Sequence, residues 1–311
     1  MTDKVRVGVI GVGYLGRFHA LIYARMADVD LVGVADSDPQ RAAEVAAEAG
    51  CKVFADADAL AHAVDAVSVV VPTTAHLEVA APLLRRGIHM LMEKPIAATV
   101  EEGAELVRLA EAAGAILQIG HLERFNAGIM ALAQRITAPR YIEAQRMGGF
   151  VERATDVDVV SDLMIHDIDI ILSLVASEIR NITAVGSPVL TEHVDIATAQ
   201  IEFVNGTVAN VVASRVSDKK MRRIRVFQPG MYLSLDFIDQ TIDIAEPRPV
   251  PGAERPEIAR QRVQVEPVKP LDSEIASFIA CVRGGQRPIV DGRVGLKALD
   301  VALQVKGKIR V

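Results

Sequence analysis

The chain has 311 residues, a formal net charge of −6 with both signs interspersed, no tryptophan and two cysteines. That length suits two domains, each large enough for its own core. The lack of a basic stripe with aromatic stacking positions argues against a nucleic-acid partner. Cys51 and Cys281 are far apart and in no metal-ligand spacing, so free thiols in a reducing compartment and no metal are expected.

The amino terminus leads directly into a strand, without a signal-peptide layout, and the apolar stretches are short and broken by glycine or charge. A cytoplasmic protein without membrane contact is expected. Val5 to Ile10 is a β-branched apolar run, followed by Gly11-Val12-Gly13-Tyr14-Leu15-Gly16 and the helix-compatible stretch RFHALIYARM. Strand, glycine turn and helix in that order form the fingerprint of a dinucleotide site. Gly11 permits the turn, Gly13 lets the backbone approach a pyrophosphate, and Gly16 allows close packing of helix on strand. Asp36 ends the next apolar run, Leu31 to Ala35, at the ~20-residue offset of the acid that binds the adenosine ribose. A carboxylate there repels a 2′-phosphate, so NAD is expected as cofactor. Ser37 and Arg41 could accept that phosphate if Asp36 swings away, which keeps NADP possible.

Downstream, PQRAAEVAAEAG reads as helix, DAVSVVVPT as a buried strand, HLEVAAPLLRRG as helix and IHMLM as strand. TVEEGAELVRLAEAAG then reads as helix and AILQIG as a last strand. This alternation predicts a doubly wound parallel Rossmann sheet over residues 1–121. In such sheets ligands lie beyond the carboxyl ends of the strands, where Asp36, Pro72, Thr73, Glu93, Lys94, Gln118 and His121 are expected. The candidate cofactor set is therefore Gly11, Gly13, Tyr14, Leu15, Gly16, Asp36, Ser37, Pro72, Thr73, His76, Glu93, Lys94 and Gln118.

Lys94 lies in Glu93-Lys94-Pro95, directly after IHMLM. A lysine beside a nicotinamide ring is a candidate proton acceptor in alcohol oxidation, because the ring is cationic before it takes hydride and like charge favours the neutral amine. Taken alone, the tripeptide also suits a helix-cap or surface lysine.

From residue 122 the pattern changes, and 122–311 are expected to form a second, α+β domain. ERFNAGIMALAQRI reads as helix, YIEAQRM as strand and SDLMIHDIDIILSLV as helix. Alternating runs follow: NITAVGS, DIATAQIEFV, TVANVVASRV, RRIRVFQ, MYLSLDF and TIDIAE, with Asn205-Gly206 and Pro229-Gly230 as turns. They predict an open, largely antiparallel sheet with a face to cover, and hence a homodimer or homotetramer. Lys219-Lys220-Met221-Arg222-Arg223 reads as a solvated strand entry. Residues 247–256, rich in proline, read as an excursion, and two helices are expected from Asp272 and from Arg293. On the helix near Ser161, Asp162, His166 and Asp169 are spaced i, i+4, i+7 and share a face. An acid/base couple and a polar stripe at a domain interface, with Asp169 satisfying His166, both fit that spacing.

GVGYLG, Glu93-Lys94-Pro95 and Asp162-x-x-x-His166-x-x-Asp169, at these separations, resemble the glucose–fructose oxidoreductase/inositol dehydrogenase (Gfo/Idh/MocA) family over nearly the whole length. The resemblance implies a Rossmann domain, then an α/β domain whose open sheet forms the oligomer contact, with catalysis by Lys94, Asp162 and His166. Met164 stands where many members have glycine, which narrows the expected pocket. Within the family, IGHLERFNAG and DLMIHDIDI look most like members oxidising the 3-hydroxyl of UDP-N-acetylglucosamine, or related UDP-sugars, in bacterial lipid A amino-sugar synthesis. His121, Arg124, Asn126, Arg146, Asp162 and His166 are the candidate substrate residues. Surface ion pairs and helix capping are the alternatives for Arg124, Asn126 and Arg146. A dehydrogenase of a free sugar or inositol, and a nonenzymatic dinucleotide-sensing regulator, are the alternative functions. A sensor has no need of the lysine and the Asp/His set.

Overall fold

The computed structural model describes residues 4–151, 157–251 and 254–310. In chain order the first elements are β1 (Val5–Ile10), α1 (Tyr14–Arg25), β2 (Val29–Ala35), α2 (Pro39–Ala49), β3 (Lys52–Val53) and α3 (Ala57–Ala61). β4 (Ala66–Val69), α4 (His76–Arg85), β5 (His89–Glu93), α5 (Val100–Ala113) and β6 (Leu117–Gly120) complete the Rossmann pattern. Local chemistry marks the helix ends. The Asp38 side chain accepts from Gln40 and Arg41 N–H ahead of Pro39, and left-handed Gly50 stops α2. Thr99 and left-handed Gly114 do the same for α5. The sheet order is β3-β2-β1-β4-β5-β6, wholly parallel. β1 lies between β2 and β4, so the topological switch point falls at the Gly11 turn.

Next come α6 (Ala127–Ala133), β7 (Tyr141–Met147), α7 (Ile165–Leu174), β8 (Ile179–Ser187), β9 (Ile196–Phe203) and β10 (Val208–Ser214). β11 (Met221–Gln228), β12 (Met231–Asp236), β13 (Thr241–Arg248), β14 (Glu257–Gln264), α8 (Pro270–Gly284) and α9 (Gly292–Lys308) finish the chain. The second sheet runs β14-β13-β12-β11-β7-β10-β9-β8. It is antiparallel except for the β7–β10 pair. Gly206 and Gly230 supply the positive φ that the two expected turns require.

Three expectations need correction. The helix expected over ERFNAGIMALAQRI is a 3₁₀ turn at Leu122–Phe125 followed by the shorter α6, because the Asn126 side chain accepts the Gly128 N–H and starts a new helix. The proline-rich stretch is less of an excursion than expected. β13 continues through Pro247 and Arg248, and β14 pairs back along it. β14 escaped the pattern because nearly all of its residues are exposed on both faces, with Arg262–Asp243 and Arg248–Glu257 pairs along this edge. Finally, the chain forms two compact units, 1–122 with 269–299 and 123–268 with 300–311, so α8 and the first half of α9 belong to the first unit rather than to a domain starting at 122. Ile275, Phe278 and Ile279 of α8 pack into the core that holds Val7, Val9, Tyr23 and Leu91, which accounts for that return.

Candidate active site

In the first unit the glycine turn is packed as its three roles require. Gly11 has φ +81°, and a Cβ there would meet the Val70 carbonyl oxygen at 2.4 Å. A Cβ on Gly16 would stand 1.9 Å from the Gly11 carbonyl oxygen, so α1 and the turn can touch only through glycine. Gly13 differs. A Cβ there would meet nothing within 4 Å, which leaves the backbone open to a ligand. It is the N-cap of α1 with no capping side chain and no acid in the first turn, so the helix end offers uncompensated N–H groups to an anion. Tyr14 is 74% exposed beside it, stacked edge-on against Phe18.

Asp36 follows β2, and its carboxylate accepts from the N–H of Val12 at 2.7 Å and of Asp38 at 2.8 Å. Arg41 donates to it through Nε at 3.1 Å and Nη2 at 2.6 Å. Burial pushes this carboxyl up, and Arg41 and the two backbone donors outweigh it, holding it below the usual range. Ser37 is exposed beside it. Those backbone bonds hold Asp36 in place, and the half-exposed Arg41 is the partner with room to move.

At the end of β4, Pro72 precedes a 3₁₀ turn, Thr73–Ala75, that runs into α4. His76 is buried, with Nδ1 3.2 Å from the Ile96 carbonyl and Nε2 3.1 Å from the Val71 carbonyl. Burial lowers its basicity. It ties the loop after β4 to Ile96, the residue that follows Glu93-Lys94-Pro95. Glu93 closes β5 and its Oε1 lies 3.2 Å from Nε2 of the buried His19. Lys94 follows it, half-buried, and its peptide to Pro95 is cis. Gln118 departs from expectation. It is wholly buried within β6, not at its end, and its Nε2 donates to the Glu274 carbonyl at 3.1 Å. His121 is buried directly after the strand.

In the second unit, Asp162 lies in a π-helical turn, Val160–Met164, in which the Ile165 N–H reaches back to the Val160 carbonyl; α7 begins at Ile165 and carries His166. The wider turn alters the simple i, i+4 relation of Asp162 to His166, and such turns recur at functional sites. Both residues are partly accessible, whereas Asp169 is buried with Oδ1 3.4 Å from Arg124 Nη1. Met164 is buried in the turn. The turn is anchored from two sides. Asp158 accepts from the N–H groups of Val160 and Ser161 and pairs with Lys306 at 2.8 Å. Buried Arg215 donates to the Val157 carbonyl and to Asp195, which also accepts from the N–H groups of Val189, Leu190 and Thr191. Burial pushes the Asp195 carboxyl up, but those donors hold it far below the usual range.

Arg146 also needs correction. It is buried, bidentate to Asp167 at 2.8 and 3.0 Å and bonded to Glu123 at 2.8 Å, with its guanidinium over Phe237. Burial opposes its charge, and Asp167 and Glu123 more than restore it, so Arg146 stays a cation committed to protein. Burial also pushes Asp167 upward against the pull of Arg146. Arg146 therefore fastens β7 to α7, with one N–H of each guanidinium nitrogen committed to Asp167 or Glu123. Asn126 is the buried cap of α6. Arg124 is the candidate arginine with some exposure left. Sequence reasoning missed the interior polar groups His19, Tyr23, Ser68 and Glu274. His19 and Tyr23, four apart on the apolar face of α1, were the available signal. Among the described residues no group of three or more His, Cys, Asp or Glu converges as a metal site, and no helix is long and apolar enough to cross a membrane.

Residues 5–121 match the model of an oxidoreductase family with an NAD-binding Rossmann fold, and 129–228 match the GFO/IDH/MocA C-terminal domain. The UDP-N-acetylglucosamine 3-dehydrogenase of Acidithiobacillus ferrooxidans is 42% identical over 305 residues, 97% of this chain and 96% of that protein. A crystal form of that enzyme superposes with a TM-score of 0.92 at 40% identity, covering 99% of this chain and 98% of the other. The inositol 2-dehydrogenase of Rhizobium meliloti is 28% identical over 317 residues, 96% of this chain and 94% of that enzyme. A levoglucosan dehydrogenase solved with NADH and L-sorbose shares the fold, with a TM-score of 0.85 at 18% identity, 99% of this chain and 97% of the other. An open glycine turn under an uncapped helix, an acid fixed at the end of β2 and both domain matches lead to one assignment: the chain belongs to the Gfo/Idh/MocA family of NAD-binding oxidoreductases.

Proposed function

We propose that the protein oxidises the 3-hydroxyl of UDP-N-acetylglucosamine, or of a closely related UDP-sugar, with NAD as hydride acceptor. The observation that carries this reading is 42% identity along 97% of the chain to a UDP-N-acetylglucosamine 3-dehydrogenase, against 28% for an inositol dehydrogenase of similar coverage. NAD, when bound, accepts the hydride. Gly11, Gly13 and Gly16 with the α1 amino terminus hold its pyrophosphate, and Asp36 holds the adenosine ribose. Lys94 takes the hydroxyl proton as hydride leaves the sugar carbon, and Asp162 and His166 align the substrate and share the proton. Arg124 is the residue we assign to the sugar's anionic or acetamido groups. The test is NADH formation with purified protein across UDP-N-acetylglucosamine, UDP-glucose, free N-acetylglucosamine and myo-inositol. Turnover on UDP-N-acetylglucosamine well above the others is expected; turnover on inositol alone would transfer the assignment to the free polyols.

The second sheet supports a homo-oligomer. Its outward face carries Val185, Ile196 and Phe227 exposed, with Phe227 stacked between Tyr141 and Tyr232. Apolar and aromatic groups on an open sheet favour burial against another copy.

A further inference from the structure

The first unit contains a buried polar group that the proposed reaction leaves unused. Ser68, inside β4, has its hydroxyl 3.0 Å from His19 Nδ1 and 2.8 Å from the Tyr23 hydroxyl. His19 in turn meets Glu93 at 3.2 Å through Nε2. Glu93 lies across Gly120, where any Cβ would come within 3.1 Å of its carboxyl group. Glu274 enters from α8. It is wholly buried, and neither carboxyl oxygen meets a hydrogen-bond partner among the described residues. Three elements of the first unit pack most extensively against α8, namely α1, β1 and β5, and β6 meets it through the Gln118 amide. The titratable groups they turn toward this space are Tyr23 and His19 from α1 and Glu93 from β5, while β1 brings only apolar side chains inward. The remaining charges of α8, Asp272 and Arg283, are on its accessible side, paired with Arg25 and Asp28.

A carboxylate at this position would lack both water and a donor, and would face a second carboxyl group. Each condition favours the neutral form. We propose that Glu274 is a positioning residue that stays the neutral acid and backs Glu93 at the strand end that leads into Lys94. Burial first, and then the facing Glu93, push it well above the usual range, in agreement with that geometry. The strand end then carries one negative charge instead of two. A second carboxylate would favour the ammonium form of a neighbouring lysine and oppose its use as a base. The Glu274 carbonyl, bonded to Gln118, holds the α8 backbone that carries the acid to β6. The positioning role rests on the reading of Lys94 as base; the protonation state does not.

The first experiment uses cofactor-free protein and reads the folding equilibrium constant between about pH 5.5 and 7.5 for wild type, Glu274→Gln and Glu274→Met. The native state keeps a proton that the unfolded chain releases. Wild type should therefore lose stability as pH rises, by about tenfold in that constant per pH unit relative to either variant. A pH-independent difference, or failure of both neutral variants to fold, overturns the neutral acid. The second experiment reads NADH formation on the sugar identified by the substrate screen. Glu274→Gln should keep kcat within about threefold, while Glu274→Ala should lose at least ~10-fold in kcat with a smaller change in the KM for NAD. Phe278→Leu, a core change on the same helix, should destabilise without that kcat loss. Wild-type kcat in folded Glu274→Ala, or an equal kcat loss in Phe278→Leu, overturns the positioning role. If Lys94 variants keep their turnover, the base assignment fails and the unfolding slope still decides the state of Glu274.

Discussion

Arg41 closes over Asp36 with two donated hydrogen bonds, while the N–H groups of Val12 and Asp38 hold the same carboxylate from the backbone side. The acid is fixed and the arginine is half exposed. With Asp36 proposed as the ribose ligand, Arg41 is the side that gives way when NAD binds. Asp36→Ala should weaken NAD by ~10-fold or more and NADP by much less, since a bond to a charged group is lost only with NAD. Arg41→Ala should weaken NADP selectively. Fluorescence titration of both cofactors checks this, and equal losses for the two would count against the ribose role of Asp36.

Gly13 and Gly16 should separate binding from folding. Gly13→Ala places its methyl in open space, so the unfolding midpoint should hardly move while NAD affinity falls ~10-fold or more. Gly16→Ala drives its methyl into the Gly11 carbonyl and should cost about 1–3 kcal/mol of stability. Thermal unfolding beside NAD titration distinguishes the two. Unchanged NAD affinity in Gly13→Ala would remove the pyrophosphate contact.

Lys94→Met or Lys94→Ala should lower kcat by at least ~10²-fold, the usual size of a general-base contribution, with NAD affinity little changed. His166→Ala should give a similar or smaller loss with an altered pH profile. Near-normal turnover in a Lys94 variant would leave it a positioning residue and make His166 the better candidate for the base.

Asp195 should give the protein part of its acid sensitivity. Its folded-state acidity is strengthened, so its contribution to stability is complete above the ordinary carboxylate range and is lost as pH falls below it. Asp195→Asn removes the carboxylate to which buried Arg215 donates and should cost about 3 kcal/mol at neutral pH. In urea unfolding at successively lower pH, that cost should shrink. A cost that stays constant down to strongly acidic pH would assign the effect to packing.

Sedimentation should find a dimer or tetramer. Phe227→Lys, on the exposed aromatic row between Tyr141 and Tyr232, should shift it toward monomer with the fold retained. A stable wild-type monomer at high micromolar concentration would overturn the oligomer.

The elements most legible in the sequence were those whose pattern is local. The glycine turn, the caps at Asp38 and Thr99, and the Asn205-Gly206 hairpin each state their own conformation within a few residues. Strands β7, β9, β10 and β13 were legible because buried side chains alternate with more exposed ones along them. β14 has no buried face and so left no pattern. The π turn before α7 was hidden for a related reason: Val160 to Met164 suits an ordinary helix, and the widening shows only in the bond from Ile165 to Val160.

By itself, then, the sequence determined the parallel sheet, the glycine turn, the acid after β2 and the two motif segments containing Lys94 and His166. Tertiary structure decided which polar residues remain available. Arg146 and Gln118 look like ligand residues in one dimension; in three, Arg146 is bonded to Asp167 and Glu123, and the Gln118 amide nitrogen donates to the Glu274 carbonyl. Glu274 reads as an ordinary helix glutamate until α8 returns to the first unit and brings it, without a donor, against Glu93. Periodicity reports whether a side chain faces inward. Its partners come from residues tens or hundreds of positions away, and those partners set whether a charge is free, paired or neutralised.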